Sequence, residues 1–217
     1  MLAKVNAGAV VGLDGVAVEV EVDVAGRGFP TFTIVGLPSK GIDEAKDRVR
    51  TAIANTSFEM PDSRITVNLA PADLPKDGSH FDLPIAVGIL AAAGYIDKSI
   101  LQDGLFIGEL SLEGKMRRVP GVLAMVLLAR EQQLKKIYVP VGNTTEASFI
   151  EGVTIYPLVT LSDLVLHLNG QKPIEPVCGG VLPVSQEKTS FFDYAHVQGQ
   201  YQAKRVMEIA AAGGPCF

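Results

Sequence analysis

The chain has 217 residues, 47% hydrophobic and 20% charged, enough apolar material for one core and a smaller appendage. Its formal net charge of −5 excludes a protein that coats nucleic acid through its overall field, since that attraction grows with the number of phosphates neutralised; a local basic patch stays open. The two cysteines, Cys178 and Cys216, and the three histidines have no metal-ligand spacing and no disulfide framework, which suits a reducing compartment.

Leu2 to Leu37 reads as three antiparallel strands. Val16, Val18, Val20, Val22 and Val24 alternate with Glu19, Glu21 and Asp23, so one face is buried and the other solvated. Leu13-Asp14-Gly15 is a hairpin signal, and Gly26 to Pro30 breaks the chain before Thr31. Ser39 is placed to cap one helix ending near Asn55, with Ile42, Ala45, Val49 and Ile53 at helical spacing. Arg64 to Ala70 alternates as a strand. A Pro- and Asp-rich turn then leads to a small-residue helix over Phe81 to Ala93, with Ser79 and Asp82 spaced as a capping box.

Beyond it the expected order is a strand over Leu105 to Leu112, a turn at Glu113-Gly114 and a helix over Gly121 to Gln132. A buried strand follows over Lys136 to Val139, then helix, strand and helix at Asn143 to Ile150, Val153 to Pro157 and Leu161 to Leu168. Strands first and alternating elements later predict an α+β, two-layer α/β domain with a mixed sheet and packed helices. We place this domain at 1–170. Residues 171–190, rich in Pro, Gly and Ser, read as a linker, and 191–217 as the start of a second module with a helix containing Val197, Tyr201, Val206 and Ile209. The longest apolar run, Leu83 to Ile96, contains Pro84 and two glycines and is too short to span a bilayer; no signal peptide is evident, so a cytoplasmic protein is expected.

Chemistry, if present, belongs to Lys76-Asp77-Gly78-Ser79-His80-Phe81-Asp82, a polar turn at a helix start, where free backbone N–H groups can hold an anion. Ser79, His80 and Asp82 contain the residue types of a catalytic triad. Residues one and three apart around a helix start diverge, whereas triad members converge from separate elements.

Pro75-Lys76-Asp77-Gly78 and the following helix resemble the Lon protease active-site segment. The resemblance implies a fold of the ribosomal-protein-type β-α-β kind, with the serine two positions after the glycine and the lysine in the downstream helix. Those positions are His80 and Leu123, so the serine–lysine reaction has neither partner. The alternative is a Lon-type peptidase that uses Ser79, displaced by one residue and so rotated by roughly 100° around the helix, with Lys76 or Lys115 as base.

Taken together, Ile34-Val35-Gly36-Leu37-Pro38, Val67-Asn68-Leu69-Ala70-Pro71-Ala72 and Lys76 to Pro84 resemble the ComM/YifB family of magnesium-chelatase-related AAA+ ATPases, over nearly the whole chain. Asp193 to Gln200 with Ala203-Lys204-Arg205 is similar to the entry of the ATPase module. The resemblance implies that Val197, Gln198, Gly199 and Gln200 lie beside the adenine, and that the phosphate loop follows just after Gly213-Gly214. No G-x-x-x-x-G-K-[ST] stretch occurs in these 217 residues, so no cofactor is expected here, whereas the intact parent would use ATP and Mg2+. The parent implied is a hexameric ATPase working on DNA in branch migration or unwinding during transformation and recombination, with this domain aiding DNA binding or ring assembly. Candidate phosphate contacts are Lys115, Arg117 and Arg118 at a hairpin tip, ahead of Lys40, Lys46, Arg48 and Arg50 on the first helix, where acidic residues are interleaved.

Overall fold

The computed structural model describes residues 1–26, 28–177, 179 and 196–213. The chain divides into two compact units, Met1–Val181 and Leu182–Phe217. In the first, β1 (Leu2–Val11) and β2 (Asp14–Val24) form a hairpin whose turn is Gly12-Leu13, with Val11 opposite Asp14. Thr31–Val35 is β3, Lys40–Asp43 α1, Ala45–Ala54 α2 and Arg64–Ala70 β4. Then come a 3-10 turn at Ser79–Phe81, α3 (Asp82–Ala92), β5 (Gly104–Phe106), β6 (Glu109–Leu110), β7 (Met116–Arg117) and α4 (Val122–Glu131). The unit closes with β8 (Lys136–Pro140), α5 (Thr144–Ala147), β9 (Thr154–Leu158) and α6 (Leu161–Leu168).

Seven strands form one mixed sheet in the order β3-β4-β2-β1-β5-β8-β9, and β6 pairs with β7 apart from it. This is the expected mixed α+β architecture, and its two halves differ as their sequences do. β1, β2 and β4 pair antiparallel and alternate buried with exposed residues, whereas β1, β5, β8 and β9 pair in parallel. In β8, Tyr138 joins the cluster containing α3 and α6, while Ile137 and Val139 join the cluster around α4 and α5. A strand buried on both faces needs a continuous apolar run, as parallel strands between helices do. Strand alternation also puts α3 and α4 on opposite faces. Gly88 of α3 approaches Val5 and Val22, where an added Cβ would lie 2.5 Å from Val22 Cγ2, whereas Met125 of α4 packs on Gly8. Every residue of α3 is buried.

Several expectations are corrected. The third strand is not antiparallel to the hairpin: β3 runs parallel to β4, Thr31 to Val35 facing Arg64 to Asn68, because α1 and α2 form the crossover that a parallel pair requires. The single helix expected after Ser39 is broken between Asp43 and Ala45, and Ser39 donates its hydroxyl to Asp77 Oδ1 at 2.8 Å. The strand expected over Leu105 to Leu112 ends at Phe106. Gly108 donates its N–H to His80 O at 3.1 Å and accepts from Leu83 N at 3.0 Å, which takes this backbone out of the large sheet. The capping box is not formed: no side-chain bond caps the 3-10 turn or α3, since Ser79 and Asp82 have other partners.

The segment after 170, read as linker, is tied to the first unit as far as Val177. Ile174 N donates to His167 Nδ1 at 2.9 Å, and Val177 exchanges two backbone bonds with Ile155 at the β9 edge. Residues 180–190 of that expected linker lie outside the described residues. In the second unit, α7 spans Tyr201–Ala211 and none of its residues is buried. Val197 precedes this helix instead of joining it, because Gly199 and Gln200 adopt left-handed backbone at φ 67° and 53°. Among the described residues no helix is long and apolar enough to cross a membrane.

Candidate functional site: the turn before the buried helix

The Lys76 to Asp82 turn runs from the sheet edge into α3, and the chain fixes it from both sides. Lys76 N donates to Leu37 O at 3.3 Å, and Ser39 N to Lys76 O at 3.0 Å. Gly78 has φ 108°, and a Cβ there would lie 2.7 Å from His80 Nδ1. Glycine is therefore required where the turn folds against the imidazole.

Four of the motif's five polar side chains, Asp77, Ser79, His80 and Asp82, point to four separate parts of the chain. Asp77 Oδ1 accepts from Ser39 and from Gly78 N at 2.9 Å. Ser79 Oγ donates to Glu109 Oε2 on β6. His80 is buried and its Nε2 lies 2.9 Å from Gly8 O on β1. A carbonyl can only accept, so Nε2 carries the proton. Burial pushes the imidazole down to about 4, with the Gly8 bond opposing, and His80 is neutral at neutral pH. Asp82 is 0% exposed and faces α2, where Arg48 Nε donates to Oδ2 at 2.9 Å and Nη2 to Oδ1 at 3.0 Å. Leu110 N adds a third bond at 3.2 Å. Burial pushes the Asp82 carboxyl up, and the guanidinium and the Leu110 amide oppose it. Asp82 in turn pushes Arg48 further up.

No triad is assembled, because Ser79, His80 and Asp82 diverge. Nor does Ser79 hydrogen-bond to Lys76 or Lys115, the two lysines offered as its base. Lys76 is 1% exposed and donates its Nζ to Pro71 O, bracing the loop that leads into the turn; burial pushes its amine down. Lys115 Nζ pairs with Glu113 Oε2 at 2.7 Å. Leu123, where the Lon resemblance implies a lysine, stands in the first turn of α4, 43% exposed.

The basic hairpin adjoins this turn. β6 and β7 set Glu109 directly opposite Arg117, and Arg117 Nη1 reaches Glu109 Oε1 at 3.4 Å. Arg118 Nη2 donates to Glu146 Oε2 at 3.1 Å. Behind it, the buried Asn143 donates Nδ2 to Glu146 Oε1 and to Val119 O, each at 2.8 Å, and accepts from Val119 N at 3.0 Å. A cavity of about 400 Å3 opens beside the hairpin, lined by Ser111, Leu112, Glu113, Lys115, Met116 and Arg117.

Of the basic residues on the first helix, Arg48 is not a solvated phosphate contact but the ion-pair partner of the buried Asp82, its own side chain 22% exposed, which corrects its placement. The signal was available. Ala45, Arg48, Val49 and Ala52 are spaced i, i+3, i+4, i+7, so a charge in that apolar stripe must meet a buried partner. Glu109 carried no such signal, because its pairing across the hairpin depends on register. Val197 to Gln200 lie in the second unit, where Val197 O accepts from Lys204 Nζ at 2.6 Å.

Comparison with known proteins places this arrangement. The family model for ChlI, a subunit of Mg-chelatase, matches residues 20–143, more than half of the chain and all of the turn. Competence protein ComM of Haemophilus influenzae is 43% identical over 215 residues, covering 98% of this chain and 42% of that protein.

The chain belongs to the ChlI-related ComM/YifB family.

A second relative in this family, protein YifB of Escherichia coli, is 38% identical over 216 residues, covering 98% of this chain and 41% of YifB. The chain thus spans about two fifths of the length of the curated ComM/YifB relatives it matches. A mitochondrial Lon protease homolog of Caenorhabditis elegans is 30% identical over 111 residues, 46% of this chain and 11% of that protein.

Proposed function

We propose that this chain is a non-proteolytic, Lon-like accessory domain of a ComM-type AAA+ ATPase, and that it serves the parent's work on DNA by contacting the phosphate backbone or by helping the ring assemble. The observation that carries the loss of proteolysis is the partner of Ser79. Its hydroxyl is committed to the Glu109 carboxylate, which cannot deliver it to a lysine amine, and histidine and leucine occupy the Lon-type positions. The DNA reading draws on Arg117 and Arg118, 63% and 69% exposed at one hairpin, and on the family resemblance. In this reading the parent is a cytoplasmic hexamer, and ATP and Mg2+ are held by a phosphate loop that these 217 residues lack. Val197 to Gln200 would contribute only the wall beside the adenine.

Two measurements test the proposal. A serine-directed fluorophosphonate probe is expected to leave the chain unlabelled, whereas labelling abolished by Ser79→Ala would restore the peptidase reading. Binding to forked or single-stranded DNA is expected to fall with rising salt and to drop roughly tenfold when Arg117→Ala and Arg118→Ala are combined. Indifference to both changes would remove the DNA role.

A further inference from the structure

The hairpin cations are not idle. Lys115, Arg117 and Arg118 each face one carboxylate, from Glu113, Glu109 and Glu146, so a phosphodiester must displace a carboxylate to be held there. These partners differ in how they are fixed. The Glu113 side chain is 71% exposed at the turn. Glu109 and Glu146 are anchored from behind: one oxygen meets the arginine, and the other accepts from Ser79 Oγ or Asn143 Nδ2. Asn143 has a separate structural task at Val119. For Ser79, the Glu109 contact is its only side-chain hydrogen bond among the described residues.

Resting on the DNA reading above, we infer that Glu109 is an internal guard on the phosphate-binding hairpin, occupying Arg117 in place of a phosphodiester, and that Ser79 sets its grip. The register of β6 against β7 holds the carboxylate opposite the guanidinium. With its second oxygen engaged by Ser79, Glu109 reaches Arg117 through one contact at 3.4 Å, a weak contact to a guanidinium that is 63% exposed and that a phosphate can take over. Exchange of one anion for another needs no rearrangement of the sheet. Ser79 thereby acts as the tether that limits Glu109 to one-point contact.

The test is single-stranded oligonucleotide binding across a salt series. Glu109→Gln is expected to tighten binding about three- to tenfold at low salt and to steepen the log–log salt slope by about 0.7, one added phosphate contact on a single strand. In an Arg117→Ala background the same change is expected to do nothing. Ser79→Ala, which frees the second oxygen for two-point contact with Arg117, is expected to weaken binding about threefold. Glu109→Asp, which withdraws the carboxylate while keeping its charge, reads the same effect should Glu109→Gln fail to fold. An equal gain with and without Arg117 would overturn the inference, since charge alone would then explain it, and so would tighter binding by Ser79→Ala. Wild-type binding that is lost in Arg117→Ala but unmoved in Glu109→Gln would sink the guard and leave the DNA role standing. No binding by any variant, Glu109→Gln included, would sink the DNA role and the guard together.

Discussion

Arg48 and Arg117 both hold a carboxylate beside the same turn, and they illustrate opposite uses of one interaction. Arg48 grips Asp82 with two nitrogens, at 2.9 and 3.0 Å, against a carboxylate with no exposed surface. Arg117, itself 63% exposed, touches Glu109 with one nitrogen at 3.4 Å on a carboxylate side chain that is 23% exposed. Asp82 has no exposed surface, so its carboxylate cannot return to water in place of the guanidinium, and the pair fixes α2 against α3 and commits the turn. At the hairpin, water competes for the exposed guanidinium, the contact is single, and the pair can be exchanged.

The comparison breaks most clearly at Arg48. Arg48→Ala strands the Asp82 carboxylate and should cost about 3–5 kcal/mol, read as a shift in the denaturant midpoint. Arg48→Met combined with Asp82→Leu should recover most of that loss, because the uncompensated charge is gone. The next effect belongs to His80, a second buried ionisable group beside Asp82 in the turn. Its folded value of about 4 lies below the ordinary 6.5, so its stabilising contribution is complete above pH 6.5. That contribution falls as the unfolded chain takes up protons, and about 3 kcal/mol is lost by pH 4. The stability difference between wild type and His80→Gln should therefore shrink over that window; a constant difference would show that the imidazole is already charged in the fold. The smallest effect sharpens the contrast from the other side. Arg117→Ala with Arg118→Ala should change stability by less than about 1 kcal/mol while weakening DNA binding.

Much of the fold is legible in the residues because burial leaves a periodic trace. Arg64 to Ala70 and Leu161 to Leu168 form a strand and a helix over the expected bounds, since each has one apolar face. Ile137-Tyr138-Val139 marks a strand covered on both sides. The errors fall where partners are distant in sequence. β3 has the composition of a hairpin strand, but its neighbour is β4, 28 residues beyond its end. Ser79 and Asp82 have capping-box spacing, yet stronger partners on β6 and α2 claim them.

The same division governs the candidate site. The residues alone establish that no G-x-x-x-x-G-K-[ST] stretch is present in these 217 residues and, where the Lon resemblance implies a serine and a lysine, the sequence carries His80 and Leu123. Which polar side chains are locked and which can exchange was decided only by the tertiary structure. Asp82 lost its water when α2 closed over α3, while Glu109 and Arg117 were left at the surface of a two-residue ladder. Solvent exclusion depends on how distant elements pack, and no local spacing of residue types encodes it.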